Sequence, residues 1–98
     1  MAAILRTSQY KAIGGASAKF DSAMAVSQIY RFVANTDCWV LVGATGASAV
    51  ADTANNHLYI KGQVIFLSAH DAANGFVHMI QDSEAGDATL SLVEGTGI

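Results

Sequence analysis

Val26-Ser27-Gln28-Ile29-Tyr30-Arg31-Phe32-Val33-Ala34, then Asn35-Thr36-Asp37, then Cys38-Trp39-Val40-Leu41-Val42-Gly43 is the stretch that decides the fold class. Its two apolar runs are dense in β-branched and aromatic residues, and the break between them is made of turn formers. That pattern predicts two strands of a hairpin. The only Trp and the only Cys of the chain lie in the second run, which predicts that the core forms around it. An apolar strand also predicts an inert buried thiol at Cys38, with Trp39 as packing.

Working outward, the same signals recur. His57-Leu58-Tyr59-Ile60 reads as a short strand, Lys61-Gly62 as a tight turn and Gln63-Val64-Ile65-Phe66-Leu67 as a strand. Ser68 to Gly75 is a polar loop, and Phe76 to Gln81 is the next strand. From Ala88 to Glu94, Ala88, Leu90 and Leu92 alternate with Thr89, Ser91 and Val93, the period of a half-buried strand. Asp82 to Asp87 makes the turn before it. Residues 1 to 13 carry Ile4, Leu5, Tyr10 and Ile13 among polar neighbours and suit an edge strand or an extended arm. Gly14 to Ala18 interrupts any regular element, and Phe20 is placed to staple the following segment to the core. Six or seven short strands with closely spaced turns predict an all-β antiparallel sandwich or small barrel. The division expected is an N-terminal arm and loop over 1–25 and a β-sandwich over 26–98, within one domain.

Size and charge bound the function. Ninety-eight residues hold one core. The chain is 52% hydrophobic but 13% charged, against a usual charged share of about 25%. So few charges on a small domain point to surface covered by a partner. The net charge is −3 and the pI about 5.3, and the five cations Arg6, Lys11, Lys19, Arg31 and Lys61 are scattered. No basic stripe for a nucleic acid emerges. A single cysteine forms no intrachain disulfide. No apolar run reaches the ~18–20 residues of a membrane span, and Met1 to Arg6 lacks the pattern of a signal peptide.

Four features of the chain bear on chemistry. Val40 to Ala49 runs an apolar strand into Gly43-Ala44-Thr45-Gly46, like the opening of a dinucleotide loop. Ala49 stands where a third glycine belongs, Lys61-Gly62 stands where a second strand's acidic residue belongs, and too little chain follows for a doubly wound sheet. His57, His70 and His78 have spacings that match no common metal-ligand pattern, which leaves them as polar surface residues. Asp82, Glu84 and Asp87 lack the ligand density of a calcium loop, and no serine sits in a nucleophile elbow. The expectation is a non-enzymatic protein with no metal and no cofactor.

Tyr30-Arg31-Phe32-Val33-Ala34-Asn35-Thr36-Asp37-Cys38-Trp39-Val40-Leu41-Val42-Gly43, a small-residue loop, Leu58 to Val64, and Val77-His78-Met79-Ile80-Gln81-Asp82 through Gly86 to Leu92 follow one another in order. In this succession residues 26 to 95 resemble small β-rich proteins encoded near the head genes of tailed bacteriophages. The turn at Ile60-Lys61-Gly62 departs from that family's Leu-Pro-x-Gly, and the Ser68 to Asn74 loop is long. The resemblance implies a jelly-roll-like sandwich that acts as a virion structural protein, made in the host cytoplasm and placed on the capsid exterior. It implies a capsid decoration (cement) protein bound to the major capsid protein, with a head–tail connector, tail or fibre-associated role as the alternative. Homo-oligomers, dimer or trimer, are expected. Candidate partner contacts are Ile4, Leu5, Tyr10 and Ile13 on the first segment and Ala47 and Val50 on the Gly43 to Asn56 loop. A different class would be a glycan- or ligand-binding sandwich using Trp39, Tyr59 and His57.

Overall fold

In the computed structural model, which describes residues 3–51, 53 and 56–95, the chain forms two four-stranded antiparallel sheets. The strands are β1 (Ala3–Ile13), β2 (Ala18–Lys19), β3 (Ile29–Ala34), β4 (Cys38–Gly43), β5 (His57–Tyr59), β6 (Ile65–Leu67), β7 (Phe76–Gln81) and β8 (Gly86–Gly95). One sheet has the order β1-β8-β3-β6 and the other β2-β7-β4-β5. The strands β1 and β8, β2 and β7, β3 and β6, and β4 and β5 are partners. The pattern is that of one long ribbon bent at the β4–β5 connection. Two further pairings, β3 with β8 and β4 with β7, roll that ribbon into the two sheets.

This topology corrects the expected hairpins. The runs 29–34 and 38–43 are strands, but β3 lies in one sheet and β4 in the other. The Asn35-Thr36-Asp37 link is an arch between sheets because its hydrogen bonds go elsewhere. Asn35 N–H donates to the Asp87 carbonyl at 3.1 Å, and Asn35 Oδ1 accepts from Asp87 N–H at 2.8 Å. Thr36 Oγ1 donates to the Glu84 carbonyl at 2.8 Å, and Asp37 Oδ1 accepts from Lys61 N–H at 2.8 Å. The β7–β8 turn packs so closely on this arch that a Cβ at Gly86 would overlap Asn35 Oδ1 and the Thr36 side chain. The β7–β8 connection crosses sheets as well.

Residues 3–13 take the edge-strand alternative. Pairing with β8 runs from Ala3↔Gly95 to Ile13↔Gly86, with a bulge between Arg6 and Ser8. The segment set apart as an arm and loop is therefore built into the sandwich, supplying β1 to one sheet and β2 to the other.

The two sheets meet over Phe20, Phe32, Tyr59, Val77, Met79 and Leu90, all buried. Phe20 and Phe32 meet edge to face at 6.2 Å, and Phe32 and Tyr59 at 5.1 Å, the geometry that aromatic quadrupoles favour. Phe20 is the staple the sequence suggested. Tyr59 also pins the sheets to each other: its hydroxyl, carried by β5, accepts from Ala34 N–H on β3 at 2.9 Å and faces the Ala34 and Gln63 carbonyls as donor. Alternation separates Cys38 from Trp39. Cys38 points into the core, whereas Trp39 is half-buried on the outer face of β4 and donates Nε1–H to Asp82 Oδ1 at 3.0 Å. Only one of two adjacent strand residues can face the core, so the Trp is not the nucleus of packing.

Candidate interaction face

The outer face of the β1-β8-β3-β6 sheet is built by the outward-facing members of four strands. Register fixes which these are, because Tyr30, Phe32, Ala34, Ala88 and Leu90 point inward. One row across the sheet is Ser8, Ser91, Arg31 and Phe66; the next is Tyr10, Thr89 and Val33. Ile29 sits beside Val93 further along. Tyr10 is 76% exposed, Phe66 61% and Ile29 54%. Ser8 and Ser91 join their hydroxyls at 2.9 Å and tie β1 to β8 from the outside. Arg31 stands mid-face with no ion-pair partner among the described residues.

At the turn end of this face lies a cleft of about 680 Å³ lined by Tyr10, Val33, Asn35, Lys61, Asp87 and Thr89. The arch and the two turns described above hold it open, so its walls are fixed by backbone hydrogen bonds. Gly62 permits the Lys61 turn because it sits at φ +86°, where a side chain would be strained. Its N–H donates to the Ala34 carbonyl at 3.3 Å.

The opposite outer face, that of β2-β7-β4-β5, is covered over His78 by the chain's own loop, while Leu58 at its β5 edge stays exposed. His78 lies between Val77 and Met79, both core residues, and so points outward, yet it is buried. The reason is the segment after β4: His78 Nε2 bonds the Ala44 carbonyl at 2.8 Å. Further along, Ala49 is buried with its N–H donated to Ser17 Oγ at 2.8 Å. The expectation of a solvent-facing His78 is thus corrected, because the loop roofs it; His57 and His70 are exposed.

The sequence candidates divide between these faces. Tyr10 is the most prominent side chain of the open sheet. Ile13 is 2% exposed and belongs to the core, so it presents no contact surface; the strand turns it inward. Ile4 and Leu5 lie on β1, and their side chains fall outside the described residues. Ala47 is half-buried and Val50 exposed on the loop over the other sheet. Tyr10 and Val50 therefore belong to two surfaces. The missed residues are Phe66, Ile29 and Arg31, whose outward position could be read from strand alternation once the strand bounds were known.

Chemistry is sparse. Among the described residues no three His, Cys, Asp or Glu side chains are grouped to hold a metal ion. Gly43-Ala44-Thr45-Gly46 leads into a turn, with Ala47 N–H on the Ala44 carbonyl at 3.0 Å, and among the described residues no helix follows to present its N-terminus to a phosphate. Burial, and secondarily the Asp37 carboxylate, push the Cys38 thiol from its ordinary 9.0 up to about 12. At neutral pH it stays protonated and unreactive. Trp39, Tyr59 and His57 form no stacking platform: Tyr59 is fully buried, and Trp39 faces away from the side of the sheet that carries Tyr59. Among the described residues no helix is long and apolar enough to cross a membrane.

Comparison with family models, with curated proteins and with solved structures finds no match to this chain.

Proposed function

We propose that this protein is a structural component of a tailed-bacteriophage virion, a decoration or cement protein that docks on the shell of the major capsid protein. The observation that carries the reading is the open sheet face with Tyr10, Phe66 and Ile29 exposed around an Arg31 that has no ion-pair partner among the described residues. Exposed aromatic residues and an arginine, in a chain with 13% charged residues, are the composition of a protein–protein contact. Arg31 would take a carboxylate or a carbonyl of the coat subunit.

A jelly-roll reading of the sandwich belongs with this proposal. It is supported by the sheet orders β1-β8-β3-β6 and β2-β7-β4-β5, which an antiparallel ribbon generates when rolled into two sheets, an architecture used by viral capsid domains among others. The resemblance in strand order to phage head-gene products points the same way. In this reading β1, built into the sheet, takes the contact role first given to an arm. Docking would also stabilise a domain whose small core gives modest stability by itself.

The test is co-sedimentation with emptied shells of the phage that carries the gene. Saturable binding that protects the shell against heat supports the proposal. Sedimentation with isolated tails or connectors and not with shells would move the protein to those parts of the virion, and absence from purified particles would end both.

A further inference from the structure

The two sheets have four edges, and three of them are blunt. β2 has two residues, and β5 and β6 have three each. Short edge strands are a common way of denying a foreign strand a template. β1 is different: it has eleven residues, about 35 Å of extended chain. Its pairing is with β8, at the other side. Among the described residues no loop or strand covers its outer edge by backbone hydrogen bonds. The bulge between Arg6 and Ser8 divides the strand, but the regular piece from Ser8 to Ile13 is still longer than any of the other three edges.

We propose that the edge of β1 is a self-association surface, where the β1 of a second copy pairs antiparallel across a two-fold axis. The two β1-β8-β3-β6 sheets would then run on as one eight-stranded sheet. This goes beyond the proposed shell contact, which uses the outer face and not the edge.

Three features favour a second copy as the occupant. Antiparallel pairing of one strand with itself is isologous, so each copy meets a strand of matching length and the symmetry closes at two. Over Ser8 to Ala12, the described side chains flanking the edge do not repel a copy. Lys11 is drawn across the sandwich to Asp21, Nζ to Oδ1 3.4 Å, and Gln9 is held there by Ser22, whose N–H donates to Gln9 Oε1 at 3.0 Å. On the outer face Ser8, Tyr10 and Ala12 are uncharged and exposed. Joining the edges would also set the exposed Tyr10 rings of the two copies on one continuous face.

Sedimentation equilibrium of the full chain tests this, with Ser8→Lys plus Ala12→Lys as the disrupting variant. Like charges repeated across the two-fold should weaken dimerisation by roughly tenfold or more. Circular dichroism melting shows whether the variant keeps its fold. Cysteines at Ser8, Tyr10 and Ala12 in a Cys38→Ala background, tested singly and mixed in pairs, give a second readout, since an antiparallel two-fold near the middle of this piece sets one of these positions opposite itself or another of the three, within disulfide reach. A wild-type dimer, monomeric folded lysine variant and cross-link at or between these positions are expected. A wild-type monomer at high concentration, or a dimer untouched by the lysines with no cross-link at any site, overturns the proposal. Shell binding by a chain that stays monomeric would remove the self-pairing and leave the capsid reading intact.

Discussion

The two outer faces of the sandwich are made by sheets of equal strand number, yet one is finished by the chain itself and the other is not. Over β2-β7-β4-β5 the loop after β4 lies down on the sheet, closes over His78 through the Ala44 carbonyl and anchors Ala49 on Ser17. Over β1-β8-β3-β6 no segment of comparable size is laid among the described residues, and Tyr10, Phe66 and Ile29 stand out in solvent. A small domain that roofs one sheet face and leaves aromatics bare on the other has an internal control for what an unroofed face is for. The roofed side shows that the chain can hide such a face where hiding it serves stability. The bare side is therefore the better candidate for a partner.

The largest effect should come from substituting the bare face. Tyr10→Asp and Phe66→Asp each remove an exposed aromatic anchor, and together they should weaken shell binding by about 2 kcal/mol per site or more. Unfolding free energy should move by no more than about 0.5 kcal/mol, as for surface positions in general. Binding isotherms on empty shells and urea unfolding of the same preparations check both halves. Equal losses in binding and stability would break the distinction between an open face and a structural one.

A smaller and opposite result is expected on the roofed side. His78→Ala leaves the Ala44 carbonyl without its partner and opens space under the loop, a cost of about 1–3 kcal/mol in stability. Shell affinity of the folded fraction should not change. Hydrogen exchange at Ala49 N–H, faster in the variant, would show that the roof and not the sheet has loosened.

The smallest effect sharpens how well the roofed sheet is sealed beneath. Cys38 lies on its inner face with the thiol raised to about 12. Below about pH 9 the thiol is protonated in folded and unfolded chains alike, and its contribution to stability is fully present. As pH climbs from about 9 towards 12 the unfolded chain gives up the proton while the folded chain keeps it, so stability falls. Cys38→Ala deletes that component. The wild type should lose more stability than the variant between about pH 8 and about pH 10.5, measured by urea unfolding at both.

Most strands were legible in the sequence, because β-branched and aromatic runs bounded by turn formers signal them locally. β4 and β7 were placed at their observed bounds, and β8 was marked by its alternation. Which strand pairs with which was not legible. Alternation assigns a residue to a face and is silent about the sheet its strand joins. Asn35-Thr36-Asp37 reads locally as a hairpin turn, and what makes it an arch is bonding to Asp87, Glu84 and Lys61, far along the chain. β2, with two residues, carries no period at all. On the open face Tyr10 stood out in the sequence because it is an isolated aromatic in a polar segment. Phe66 was hidden because one aromatic in Val64-Ile65-Phe66-Leu67 looks like core until the pleat is phased. Ile13 failed for the same reason in reverse: it shares a segment with Tyr10 but not a face.

The most direct measurement is hydroxyl-radical footprinting of the chain, free and bound to shells, read at Tyr10 and Phe66 on one side and at Val50 and Leu58 on the other. Protection of Tyr10 and Phe66 with Val50 and Leu58 unchanged is the result this account predicts. Protection of Val50 and Leu58 while Tyr10 and Phe66 stay fully reactive would contradict it.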